Sequence, residues 1–113
     1  MIYLDYTANT PADPDVLDAY LAAERRYIAN PNSTHIAGQE ARAEMERVTQ
    51  SIAQHLGVQP AEIIYTSGAS EANNLALKGI AHASRHIGKH IISTQLEHSS
   101  VGASLSALQQ QGY

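Results

Sequence analysis

Apolar residues recur along most of the chain at steps of three and four, separated by polar turns, and in two places they run together without helical spacing. Asp13 precedes Pro14 and Asp15, which gives a capping carboxylate followed by a residue whose fixed φ suits the first helical position. Val16, Leu17, Tyr20, Leu21, Glu24, Tyr27 and Ile28 then fall on one side of a predicted first helix. A second helix is predicted from about Thr34 or His35 to Leu56, with Ala41, Met45, Val48, Ile52 and Leu56 as its stripe and Gly57 as a left-handed stop. A third runs from about Ser70 to Arg85 and is expected to bury Ala72, Leu75, Ala76, Gly79, Ile80 and Ala83. A fourth starts at Ser99 or Ser100, with Val101, Leu105 and Leu108 inward. The two compact apolar runs, Ile63-Ile64-Tyr65-Thr66 and His90-Ile91-Ile92-Ser93-Thr94, are short and β-prone and read as buried strands.

Strand, helix, strand, helix is the pattern of a parallel sheet, so the expected class is α/β. Residues 1–12 read as an extended segment and ordered loop, 13–57 as two helices, and 58–113 as the start of a βαβ sheet. Sheets commonly hold about five or six strands, and parallel strands need both faces covered. Two strands leave the sheet incomplete. The chain is therefore expected to be part of a larger domain or to be completed by another polypeptide, and its apolar helix faces are expected to drive association.

Composition narrows the chemistry. With no cysteine among 113 residues, disulfides, thiolate metal sites and a thiol nucleophile within this chain are excluded. A net charge of -4 argues against nucleic acid or an anionic membrane as the main partner. The first residues carry neither a basic segment nor a long apolar run, so a cytoplasmic soluble protein is expected.

The apolar run at Ile63 breaks at Thr66-Ser67-Gly68-Ala69-Ser70-Glu71 and continues as a helix. A helix start offers free N–H donors and the positive end of the peptide dipoles, so a phosphate or carboxylate is stabilised there. Ser70 is expected to cap the helix, and the Ser67 and Ser70 hydroxyls to add donors; a turn of purely structural purpose would read the same way. His98 follows the second apolar run, and ligands in open α/β sheets sit beyond the carboxyl ends of strands, so Ser70 and His98 are expected to face one crevice. An imidazole there can stack on a flat ring or move protons near neutral pH. Glu97, His98 and Ser99 are adjacent and diverge on a turn, which rules out a triad. His82, His86 and His90 have metal-like spacing, but Gly88 interrupts the helix that would align them, and no metal site is expected. Lys78 and Lys89 sit on a helix face and at a strand entry, away from the crevice.

Four blocks, Tyr3 to Pro11, Asn30 to His35 with Gly38, Thr66 to Asn74, and Glu97 to Val101, resemble in order and spacing the N-terminal third of cysteine desulfurases. The resemblance implies the large domain of a fold type I, aspartate aminotransferase-like transferase dependent on pyridoxal phosphate (PLP). It implies conversion of cysteine to alanine with sulfur passed to an enzyme persulfide, in a dimeric enzyme serving iron–sulfur cluster assembly through a sulfur-acceptor protein. Gly68, Ala69 and Ser70 match the cradle of the PLP phosphate, and His98 matches the histidine that stacks on the pyridine ring and helps move protons. Ala8 and Asn9, with Asn30 and His35, match loops bordering the amino-acid substrate, the latter near the dimer interface. Asn9 departs from the threonine usual in the family, and Ser70 replaces a commoner threonine while keeping its hydroxyl. The Schiff-base lysine, the aspartate facing the pyridine nitrogen and the sulfur-carrying cysteine match nothing in these residues, so this polypeptide alone is expected to be inactive. Other class V activities, such as a selenocysteine lyase or amino-acid lyase, and an interaction module completed by a separate chain remain alternatives.

Overall fold

A computed structural model describes residues 2–113. Among them are four α-helices, α1 (Pro14–Arg26), α2 (Ile36–Leu56), α3 (Ala69–Ala83) and α4 (Ser99–Gln110), with a 3-10 turn at Pro60–Glu62. The chain divides into two compact units, one ending at Ile63 and one spanning Ile64–Tyr113.

In the first unit the segment before α1 is an ordered loop. The Tyr3 hydroxyl lies 2.9 Å from the carbonyl of Asn9 and 3.0 Å from that of Asp5, the Tyr6 ring meets Tyr3 edge-on at 5.5 Å, and the Thr10 hydroxyl donates to the Tyr6 carbonyl. The Asp13 carboxylate accepts from the Asp15 N–H at 2.9 Å, as its place before Pro14 predicts. No residue of α1 is buried. The loop 30–35 is folded tightly on the start of α2. The Asn30 carboxamide accepts from the Asn32 N–H, the Asn30 carbonyl accepts from the Ser33 N–H, and Arg42 Nε donates to the Pro31 carbonyl at 2.8 Å. Gly38, buried in the first turn of α2, makes this approach possible: a Cβ there would stand 2.6 Å from the Ser33 carbonyl oxygen. At the other end Gly57 closes α2 at φ 69°, and Glu62 reaches back 2.7 Å to the Gln59 N–H to cap the 3-10 turn.

The second unit is two parallel helices. Asn73, early in α3, donates to Ser100, early in α4, at 2.9 Å. At the far ends the Tyr113 hydroxyl donates to the Ala81 carbonyl at 3.1 Å and His82 Nε2 meets the Gln111 side chain at 3.0 Å. The shared seam is made of Ala81, Ser100, Ser104 and Leu108, the last two fully buried, and Ser104 closes its own hydroxyl onto the Ser100 carbonyl. Small residues let the two backbones approach closely enough for Leu108 to fill the space between them.

Two expectations are corrected here. Among the described residues no strand forms: neither Ile63 to Thr66 nor His90 to Thr94 makes a ladder hydrogen bond. A strand exists only where a neighbour satisfies its N–H and C=O groups, and neither run bonds the other. Ile64 and Ile92 are accordingly 68% and 88% exposed. The parallel order of α3 and α4, each following one apolar run, keeps the connectivity of a βαβ unit without its sheet. The second correction concerns α3. Its apolar stripe exists, but Leu75 and Ile80 are exposed, and with Ile64, Ala72 and Gly79 they line an open groove of about 370 Å³. Ala81, on the side facing α4, is the buried residue of this helix.

Candidate functional site

Because α3 and α4 are parallel, their N-terminal ends lie side by side, and the residues singled out in the second unit collect at that end. Gly68 is the N-cap of α3 in extended geometry, with φ 163° and ψ 177°, and a Cβ added to it would meet nothing within 4 Å. Ala69 and Ser70 occupy the first two helical positions, where an N–H has no intrahelical acceptor. The Ala69 and Ser70 amides therefore have no acceptor within the helix, and the space at the Gly68 Cα is open.

Ser70 is not the cap, contrary to the sequence expectation. The N-terminal turn is tied down by Glu71, whose Oε2 accepts from both the Ser67 N–H and the Ser67 hydroxyl, each at 2.7 Å. These bonds, backbone first and hydroxyl second, hold the Glu71 carboxyl below its ordinary value. A carboxylate reaching back to the residue before the cap makes charge-assisted bonds and complements the dipole. Two consequences follow. Ser67 is occupied and cannot serve as an anion donor, while the Ser70 hydroxyl, released from capping, can. The donor set left for an anion is the Ala69 and Ser70 amides and the Ser70 hydroxyl, which suits a phosphate oxygen.

His98 is the N-cap of α4 and is exposed. Its Nδ1 accepts from the Ser100 N–H at 3.2 Å and lies 2.9 Å from the Ser100 hydroxyl. Ser100 Oγ in turn accepts from the Asn73 side-chain amide, so the histidine is held from α4 and, through one serine, from α3. Asn73, Ser100 and Glu71 were not singled out by the sequence reading. The small buried face of α4 offered a signal for Ser100, since polar residues on such a face need a partner.

In the first unit Asn30 organises the loop 30–35 with its side chain and its carbonyl, and His35 caps α2, its Nδ1 accepting from the Gly38 N–H at 3.2 Å. Ala8 and Asn9 lie in the 2–12 loop, where both backbone N–H groups bond the Asp5 carbonyl. No group of three or more potential metal-ligating side chains occurs among the described residues. α3 ends at Ala83, and the Ser84 carbonyl accepts from the Ile87 N–H at 2.8 Å in the turn that follows, so His82 and His86 are not on one helix. Lys89 Nζ rests 5.4 Å from the centre of the Tyr113 ring. No helix among the described residues is long and apolar enough to cross a membrane.

The chain is similar to known proteins over its described length. The family model for aminotransferase class V matches residues 2–113. The cysteine desulfurase of Homo sapiens is 48% identical over 113 residues, covering 99% of this chain and 25% of the relative. The mitochondrial cysteine desulfurase of Arabidopsis thaliana is 43% identical, with 99% and 25% covered. Among solved structures a NifS-like protein superposes with a TM-score of 0.83 at 37% identity, covering 94% of this chain and 29% of that one. The chain thus spans about a quarter of the length of the curated relatives it matches. A match across all described residues, with a solved relative of the same fold, means that the chain belongs to the class V aminotransferase family.

Proposed function

We propose that this chain is the cofactor-seating part of a PLP-dependent cysteine desulfurase, which takes sulfur from cysteine and leaves alanine. The observation that carries the proposal is the pairing of two helix starts: an open amide cradle at Gly68, Ala69 and Ser70 beside a histidine anchored at the head of α4. The relatives named cysteine desulfurase, at 43% to 48% identity, support the substrate.

The donor set fits a phosphate. Ala69 and Ser70 would hold it through their N–H groups and the Ser70 hydroxyl, and the bare Cα of Gly68 leaves room for approach. When bound, PLP supplies an electron sink that stabilises negative charge at the substrate Cα. His98 contributes a ring plane fixed by its capping bonds and a hydrogen-bonding edge at Nε2. Asn30 and His35, with Ala8 and Asn9, border the amino-acid substrate in this reading, and Asn9 adjusts its selectivity. The remaining three quarters of such an enzyme would supply the covalent anchor of the cofactor and the sulfur-carrying cysteine. We place the complete protein in the cytoplasm, as a dimer passing sulfur to an acceptor for iron–sulfur cluster assembly. Cell fractionation tests the location, since the Arabidopsis relative is named mitochondrial.

The test is cysteine turnover by the protein carrying this chain. His98→Ala is expected to slow alanine formation by about a hundredfold while PLP stays bound, the scale of a lost proton-handling group. Full turnover by His98→Ala would overturn its role, and failure of the parent to release sulfide from cysteine would overturn the substrate.

A further inference from the structure

Both contacts that His98 makes through Nδ1 are with the same residue, and one of them has an unambiguous sense. The Ser100 main-chain N–H, 3.2 Å away, can only donate, so Nδ1 must be the unprotonated nitrogen of a neutral ring. The second contact, Ser100 Oγ at 2.9 Å, depends on where the hydroxyl hydrogen points. The Ser100 N–H already makes Nδ1 an acceptor, so the hydroxyl hydrogen points to it, and Asn73 Nδ2, donating to Ser100 Oγ at 2.9 Å, takes up an oxygen lone pair and favours that orientation. Ser100 is 8% exposed, so water competes little for either bond.

We propose that Asn73 and Ser100 are positioning residues that lock His98 in its Nε2–H tautomer, so that the exposed edge of the ring is a hydrogen-bond donor rather than a base. This rests on the reading of His98 as the residue facing cofactor and substrate, and it sharpens that reading. With Nδ1 consumed inside the protein, the neutral ring can only donate outward, toward an anionic group such as a carboxylate or thiolate of the substrate. The orientation of the hydroxyl is reinforced from one helix away: an acceptor in place of the Asn73 amide would draw the Ser100 hydroxyl hydrogen to itself and leave a lone pair facing Nδ1. The two helix starts are therefore coupled through hydrogen-bond polarity as well as packing.

The tautomer is read by long-range nitrogen–proton correlation on the full chain labelled in histidine, at alkaline pH where the imidazole is neutral, without cofactor or substrate. The Nε2–H form of His98 is expected to exceed the Nδ1–H form by roughly tenfold to a hundredfold, the equivalent of one to two hydrogen bonds. Asn73→Asp, which replaces a donor by an acceptor of the same shape, is expected to lower that ratio about tenfold, whereas Ser100→Thr, which keeps the hydroxyl, leaves it as in the parent. Comparable populations of the two forms in the parent would overturn the proposal without any variant being made. An unchanged ratio in Asn73→Asp, with helical content preserved, would overturn the part assigned to Asn73. Because no turnover is measured, a missing desulfurase activity leaves this result standing, and a wrong tautomer leaves the substrate assignment standing.

Discussion

Replacing Gly38 with alanine isolates the close approach on which the 30–35 loop depends. A Cβ at this position would stand 2.6 Å from the Ser33 carbonyl oxygen, 2.8 Å from the Ser33 Cβ and 2.9 Å from the Asn30 carbonyl oxygen. Two of these three neighbours are main-chain atoms already fixed, since the Asn30 carbonyl accepts from the Ser33 N–H and the Asn30 side chain from the Asn32 N–H. No side-chain rotation relieves the clash, so the loop must move off the helix. Overpacking of this kind costs about 1–3 kcal/mol. The gain from replacing glycine in a helix, at most about 1 kcal/mol, offsets part of it. A net loss of about 1–2 kcal/mol is expected. Gly79→Ala provides the control, because Gly79 lies inside α3 with nothing within 4 Å of its added Cβ, and it should stabilise by up to about 1 kcal/mol. The assay is urea unfolding followed by helical circular dichroism, with exchange of the Ser33 amide as a local probe. Gly38→Ala should lower the midpoint and speed Ser33 exchange, and Gly79→Ala should do neither. A Gly38→Ala chain as stable as the parent, with Ser33 equally protected, would refute the steric argument.

Three further outcomes are expected. The folded Glu71 carboxyl titrates below its ordinary value of 4.5, so its bonds to Ser67 are intact above that value and are lost as the pH falls through the lowered one. Protection of the Ser67 amide, corrected for intrinsic exchange, should fall over that acidic window in the parent and be flat in Glu71→Gln; parallel profiles would disprove the Glu71–Ser67 tie. Leu108, fully buried between α3 and α4, should cost about 2–4 kcal/mol when changed to alanine, read from the urea midpoint, and a change under about 1 kcal/mol would show that the seam is not the core of that unit. The exposed stripe of Val16, Leu17 and Tyr20 on α1, at 61%, 50% and 62%, should make the chain associate with itself or a partner, and a compact monomer at every concentration in sedimentation would contradict this.

The helices were legible because their signals are local. Asp13 with Pro14 and Gly57 after Leu56 mark ends by chemistry that needs no distant partner, and both ends stand where that chemistry puts them. The strands were not legible in the same way. Ile63 to Thr66 has the right composition, but a ladder needs a neighbour, and composition does not say whether one is present. For the same reason periodicity located the apolar stripe of α3 and misjudged its burial, since Leu75 and Ile80 are 50% and 68% exposed and line an open groove. At the site, the helix start was readable from Ser67 to Glu71, but which of several polar side chains caps it was not. Gly68 takes the cap with no side-chain bond, and Glu71 instead reaches back to tie down Ser67 just before it with two charge-assisted bonds. The Asn73, Ser100 and His98 chain joins residues 27 positions apart, a spacing no local pattern reveals.

The central claim is that the start of α3 is a phosphate seat, and amide chemical shifts read it directly. Titrating inorganic phosphate, and then PLP, into the labelled chain should move the Ala69 and Ser70 amides saturably, with a dissociation constant of about millimolar for phosphate, the affinity that two or three charge-assisted bonds at a helix start provide. Ser70→Ala should weaken that binding about tenfold by removing one hydroxyl donor. If both ligands leave the Ala69 and Ser70 amides unmoved, or if Ser70→Ala binds as tightly as the parent, the seat is not where we have placed it.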